Sequence, residues 1–251
     1  MTIPKKPTRQ RTSSPKIPAA KAPPKVAAKP EPKSTGRPER KGPSEALIAE
    51  IFIFAIFAMS LDLLLGFTGL MSLGHAAFFG LGAYAVGVLG NVFGINAWIG
   101  VVAGCALASL AAGLIGWFCV RTGGVTFLML TLAFSQLVFS IALKWRDVTG
   151  GSDGLAIADK PGFLGFDLSS SLTMYFMALI FFVLVFWGLR RLINAPLGRV
   201  FIGIRENEQR MLAIGYPTRA YKLLSFTIAA ALAGLAGGHE FLDAPAHGLH
   251  L

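Results

Sequence analysis

Residues 196–222 read PLGRVFIGIRENEQRMLAIGYPTRAYK, a polar stretch held between two runs too apolar to live in water. At 100° per residue Phe201, Ile204, Met211 and Leu212 fall on one stripe, and Glu206, Asn207, Gln209 and Arg210 on the other side. The pattern predicts one amphipathic helix from about Val200 to Ile214, with Glu206 placed four residues ahead of Arg210 to pair along it. Gly215 and Pro217 supply its stop. Arg190, Arg191, Arg199, Arg205, Arg210, Arg219 and Lys222 gather in and beside this loop, which by the positive-inside rule puts it in the cytoplasm. Two roles stand for such a helix: a docking element for another protein, or an anchor lying in lipid headgroups.

Outward from this loop the composition is that of a membrane protein. Apolar residues make up 54% of the 251 and charged ones 14%, against roughly a quarter charged in soluble domains. The net charge of +10 resides in residues 1–41, where twelve Lys and Arg meet only Glu31 and Glu39; the remainder is balanced. With 10 of the 14 prolines before residue 44 and no aromatic residue there, the segment 1–44 is expected to be a disordered cytoplasmic tail. Its cations would graze anionic membrane lipid, with no nucleic-acid partner, and it lacks the design of a signal peptide. A membrane domain follows over 45–238, then a short C-terminal tail, 239–251. Cys105 and Cys119 are about 21 Å apart along one helix, too far to pair.

Within the membrane domain, clear spans are expected near residues 46–66, 97–120, 125–143, 172–192 and 222–238. Asp62, at the end of the first, is costly in a membrane: it either faces a path or bonds nearby backbone. Residues 66–90, GFTGLMSLGHAAFFGLGAYAVGVLG, carry seven glycines inside an apolar run and predict a broken or re-entrant helix. Topology gives a second reason. If the tail and the 190–222 loop are both cytoplasmic, an even number of crossings separates them, and the clear spans already number four. Arg121 is then cytoplasmic as well.

The span 97–120 carries Gly100, Gly104, Ala108, Ala112 and Gly116, a small-residue ridge for close helix packing. The next places Thr131, Ser135, Gln136 and Ser140 at membrane depth, to line a path or bond a neighbouring helix. Residues 144–171 form a glycine-rich loop for the other side. No lysine follows a glycine, so no P-loop is present; no Cys pair has metal spacing and no nucleophile motif occurs. Neither catalytic residues nor cofactor nor metal is expected. His75, in the broken segment, either lines a pore or is an interior hydrogen-bonding group. The candidate path residues are thus Asp62, Ser72, Gly74, His75, Ser135 and Gln136.

Three blocks, LDLLLGFTGLMSLGHAAFFGLGAYAVGVL from Leu61, LKWRDVTGGSDGL from Leu143 and PLGRVFIGIRENEQRMLAIGYPTRAYKLLSFTIAAALAGLAG from Pro196, together resemble the permease subunits of branched-chain amino acid ABC transporters, of the LivM-like branch. The resemblance implies an all-α polytopic bundle in the bacterial inner membrane, with a discontinuous helix around Ser72–Gly80 beside the translocation path. It implies that Gly198, Arg199, Arg205, Glu206, Asn207, Glu208 and Gly215 couple the bundle to ATPase subunits. The partners it implies are two ATPase subunits, a homologous permease subunit and a periplasmic substrate-binding protein, with the TGGSDGL loop facing the last or acting as a gate. Relatives continue for several helices beyond the ALAGLAG block, so the chain is expected to be C-terminally truncated. The alternatives are a channel or sensor using the cytoplasmic helix, and an inactive fragment.

Overall fold

A computed structural model describes residues 43–94, 96–151, 155 and 171–243. The chain divides into two units, residues 1–40 and 41–251, and the described residues all belong to the second. Residues 1–42 of the expected 1–44 tail, residues 244–251 of the expected 239–251 tail and residues 152–154 of the TGGSDGL block lie outside them.

The described residues are mostly helical. In order they form α1 (Pro43–Asp62), a single π-helical turn π1 (Leu63–Thr68), α2 (His75–Phe93), α3 (Ala97–Cys119), α4 (Gly124–Lys144), the short α5 (Arg146–Thr149), α6 (Ser171–Asn194), α7 (Pro196–Glu206), α8 (Glu208–Ala213) and α9 (Thr218–Asp243). Among the described residues five segments are long and apolar enough, by length and composition, to cross a membrane: Leu47–Thr68, Trp98–Cys119, Val125–Lys144, Leu172–Asn194 and Thr218–Asp243. Their outward faces carry Val102, Leu110, Leu114, Val125, Met129, Phe139, Ile180, Val183 and Leu184, all exposed in the isolated chain. So much contiguous apolar surface suits hydrocarbon and not water.

At the centre α2, α3 and α9 touch backbone to backbone. A Cβ at Gly82 would overlap the Gly234 carbonyl, and one at Gly237 would overlap the Phe79 carbonyl. On α3, a Cβ at Gly104 would lie 2.9 Å from the Gly82 oxygen and one at Gly116 would lie 2.8 Å from Phe226. The small-residue ridge expected from the sequence is this surface: Ala108 and Ala112 are fully buried within the same core as Phe226, Ala229 and Ala233. Close approach lengthens the line of van der Waals contact, which is what holds helices together where lipid removes the hydrophobic drive.

These contacts also fix direction. Along α2, Phe78 meets Phe226, Gly82 meets Gly234 and Gly87 meets Phe241, so α2 and α9 run parallel. Along α1, Ala49 and Ile53 share a core with Ala236, whereas Leu63 and Leu64 share one with Phe226 and Ala229, so α1 runs the opposite way. The helix α2 is continuous over 19 residues, about 28 Å. It traverses the bundle and is not re-entrant: neighbouring helices on both sides offset the weak helix propensity of its glycines.

That extra crossing corrects the topology argument. Five crossings, α1, α2, α3, α4 and α6, separate Pro43 from α7, so the start of α1 and the loop at 190–222 lie at opposite ends and cannot both be cytoplasmic. Arg121, in the α3–α4 turn, shares the end of α7, as expected. The last helix also continues past residue 238 to Asp243, burying His239, Phe241 and Leu242, because its partners α2 and α3 continue beside it.

Candidate functional site

The polar loop folds as two helices, and the single helix expected over 200–214 is interrupted at Asn207. Asn207 is extended (φ −156°, ψ 97°), and its Oδ1 accepts from the Arg210 N–H at 2.9 Å, capping the N-terminus of α8. Asparagine satisfies the free amides of a helix start better than a helix interior tolerates it, so capping overrides the 3.6-residue period. Glu206 and Arg210 are therefore on different helices, and the expected pair does not form. Leu212 is exposed, and Met211 folds back so that its sulfur lies 2.8 Å from where a Cβ at Gly203 would be. The C-terminus closes as foreseen at Gly215 (φ 96°), with Gly215 N–H on the Leu212 carbonyl and Tyr216 N–H on the Met211 carbonyl, a Schellman cap.

The helix α7 starts at Pro196, whose fixed φ suits a first helical position. Gly198 presses on the Ile193 carbonyl, where any Cβ would overlap, so the α6–α7 corner is tight. Its inner face buries Val200, Phe201 and Ile204. From its last turn the Arg205 guanidinium donates to the Gly66 carbonyl in π1. The Arg205 stem lies over Gly69, whose φ of 74° turns the chain out of the π turn. From α8, the Glu208 carboxylate reaches α9: Oε2 is 2.6 Å from Lys222 Nζ and Oε1 accepts from Thr218 Oγ1 at 3.2 Å. Lys222 and Thr218 are both buried. Each of the two loop helices is thereby tied to a different part of the bundle. Arg199, Glu206 and Arg210 remain exposed at the surface.

Between π1 and α2, residues 69–74 are not helical. His75 opens α2 fully buried, its Nε2 2.8 Å from Ser60 Oγ. The Ser60 hydroxyl donates its one proton to the Phe57 carbonyl at 2.6 Å, so it accepts from His75, which assigns the proton to Nε2. His75 Nδ1 and Ser72 Oγ are buried without a hydrogen-bond partner. Gly74 meets the Thr131 carbonyl of α4, with Ser135 beside it. Behind them a void of about 10 Å³, lined by Gly74, Phe78, Thr131, Ser135 and Phe226 among others, has room for about one water.

Of the expected path residues, Ser72, Gly74, His75 and Ser135 thus converge at the start of α2. Asp62 and Gln136 do not join them: Asp62 is exposed with its carboxylate folded against Gly66, and Gln136 lies on the outward face of α4. Ser60 and Thr131 complete the cluster. Ser60 gives no sequence signal, since one serine in an apolar helix forms no pattern; Thr131 is one of the polar groups that mark its span.

Residues 45–245 match the family described as branched-chain amino acid transport system / permease component. The chain is 29% identical over 208 residues to the high-affinity branched-chain amino acid transport system permease protein LivM of Escherichia coli (strain K12), a match covering 74% of this chain and 49% of that protein. The LivM of Salmonella typhimurium gives the same identity and coverage. A probable branched-chain amino acid transport permease protein LivM of Methanocaldococcus jannaschii is 24% identical over 218 residues, 74% of this chain and 63% of that protein. The chain spans about half the length of the bacterial relatives it matches. No solved structure matches it. With four-fifths of its length inside the matched region, the chain belongs to the family of permease components of branched-chain amino acid transport systems.

Proposed function

We propose that the chain serves as a membrane subunit of an ATP-driven importer of branched-chain amino acids in the bacterial inner membrane. In this reading α7 and α8 face the cytoplasm and receive two ATPase subunits, through Gly198, Arg199, Arg205, Glu206, Asn207, Glu208 and Gly215. A homologous permease subunit completes the pathway, and a periplasmic binding protein delivers substrate to the opposite end. The observation that carries the reading is the Arg205–Gly66 hydrogen bond, a direct tie from the loop to the turn that precedes the helix break. Motion of α7 would pass to π1 and so to the cluster at the start of α2. The void there, about 10 Å³, is smaller than an amino acid, so a path through this point would need the helices around it to move apart.

Orientation rests on charge. Arg121, Arg190, Arg191, Arg199, Arg205, Arg210 and Arg219 lie at the α7 end, while the described residues of the other end offer Lys144 and Arg146. The seven arginines of these short loops are given more weight than the Lys and Arg of residues 1–41, which precede α1 and were expected in the cytoplasm; on that weighting α7–α8 is cytoplasmic and the start of α1 lies at the outer face.

Reconstitution with the partner ATPases, partner permease and binding protein tests this. Leu, Ile or Val is expected to stimulate both ATP hydrolysis and uptake. Hydrolysis indifferent to all three would remove the substrate assignment, and conductance without ATP would favour a channel.

A further inference from the structure

At the corner where α6 hands over to α7, an open groove of about 680 Å³ is lined by Phe186, Trp187, Arg190, Arg191, Asn194, Ala195 and Pro196. The lining is divided by height. Phe186 and Trp187 are exposed on the last turns of the α6 span. One turn further on, Arg190 and Arg191 are exposed, and the Arg191 guanidinium lies 6.0 Å from the centre of the Trp187 ring. No carboxylate lines the groove, and among the described residues neither arginine takes part in an ion pair. The groove floor is the start of α7, a helix of 11 residues with no acidic residue in its first turn, whose dipole adds positive potential there.

We infer that this groove binds an anionic phospholipid: its phosphodiester sits between the Arg190 and Arg191 guanidiniums with Asn194 as a further donor, and its acyl chains lie along Phe186 and Trp187. Two neighbouring guanidiniums suit the paired oxygens of an anionic phosphodiester better than a zwitterionic headgroup, whose ammonium they would repel. Apolar surface directly below the cations selects an amphiphile over a free anion. The inference does not depend on which end of the bundle is cytoplasmic, or on the transport reading. Its consequence is local: a bound headgroup would bridge the end of α6 and the start of α7, clamping the corner that Gly198 already makes tight.

The test is native mass spectrometry on the purified, delipidated full chain, titrated with phosphatidylglycerol or phosphatidylcholine. One phosphatidylglycerol is expected to be retained per chain, at least tenfold more tightly than phosphatidylcholine. The double variant R190Q/R191Q should abolish that preference, and W187L should weaken retention of both lipids. A control, R121Q/R219Q, removes the same charge from the same end and should leave the preference intact. Helix content by circular dichroism identifies any variant that has failed to fold, and single R190Q or R191Q variants then replace the double one. Equal retention of the two lipids, or an equal loss of preference in R121Q/R219Q, would overturn the site; the latter would mean diffuse attraction. Displacement of the lipid by inorganic phosphate would also overturn it, since the groove would then be a free-anion site.

Discussion

Arg205 on α7 donates from its guanidinium to the backbone carbonyl of Gly66 in π1, joining residues 139 positions apart in sequence. The π turn leaves that carbonyl available, because the chain leaves the helix at Gly69 instead of continuing the ladder. Arg205→Gln keeps a donor but shortens the reach. The bond is exposed, so the expected loss of folding stability is small, about 1 kcal/mol, which corresponds to roughly a fivefold bias between two states. The larger effect is expected in coupling. Substrate moved per ATP should fall by more than ATPase assembly does, measured as uptake against phosphate release in proteoliposomes beside the amount of ATPase retained. Unchanged stoichiometry would mean that the bond is only a local support.

The bridge from Glu208 to Lys222 sets a partly exposed acid against a buried base: their side chains are 39% and 9% exposed. Removing the acid alone leaves a lysine enclosed without its counter-charge. Solvent reaching the Glu208 side tempers the cost, so Glu208→Gln should destabilise by about 1–2 kcal/mol. The double change Glu208→Gln with Lys222→Met should recover most of that, because the stranded charge is gone. Thermal unfolding in detergent of the wild type, both single variants and the double variant completes the cycle. Additive losses would show that the two side chains do not interact.

The five spans and the small-residue ridge of α3 were legible because apolar runs and four-residue spacing state a local physical need. The helix stop at Gly215 was legible for the same reason. What was not legible depended on partners distant in sequence. The seven glycines of residues 66–90 predicted weakness, and the break at 69–74 is real, but α3 and α9 close over Gly82, Val86 and Gly87 and hold α2 straight across the bundle. The end of α8 could be read and its beginning could not, since Asn207 satisfies both the helix period and the capping rule until the fold chooses. Among the candidate site residues, Ser72, Gly74, His75 and Ser135 converge as their polarity suggested. Asp62 and Gln136 were chosen by the same criterion and point elsewhere, because composition at a given depth does not specify which side of a helix faces protein.

Odd crossing number is the feature most open to direct challenge. In a variant with Cys105 and Cys119 both replaced by Ser, single cysteines at Arg121 and Asn207 should react with a membrane-impermeant maleimide from one side. Cysteines at Asn96 and Lys144 should react from the other. Right-side-out cells and inverted vesicles give the two exposures. A cysteine at Ser44, at the start of α1, should react from the side of Asn96; labelling of Ser44 from the side of Asn207 would return α2 to a re-entrant hairpin and restore an even count.

The close approach of α2 to α9 separates glycines that look alike in sequence. At Gly82 an added methyl would meet the Gly234 backbone, and at Gly237 it would meet the Phe79 carbonyl; backbone cannot step aside without parting the helices. At Gly80, two residues from Gly82, a Cβ would meet nothing within 4 Å. Gly82→Ala and Gly237→Ala should therefore each cost at least about 1–3 kcal/mol, the usual range for overpacking. Gly80→Ala should be neutral or should stabilise by up to about 1 kcal/mol, since alanine loses less backbone freedom in a helix. Unfolding midpoints in one detergent, measured for all three, test the contrast. If Gly80→Ala proved as damaging as Gly82→Ala, Gly80 would have to face a further protein surface, and the outer side of α2 would be an interface, not a lipid-facing wall.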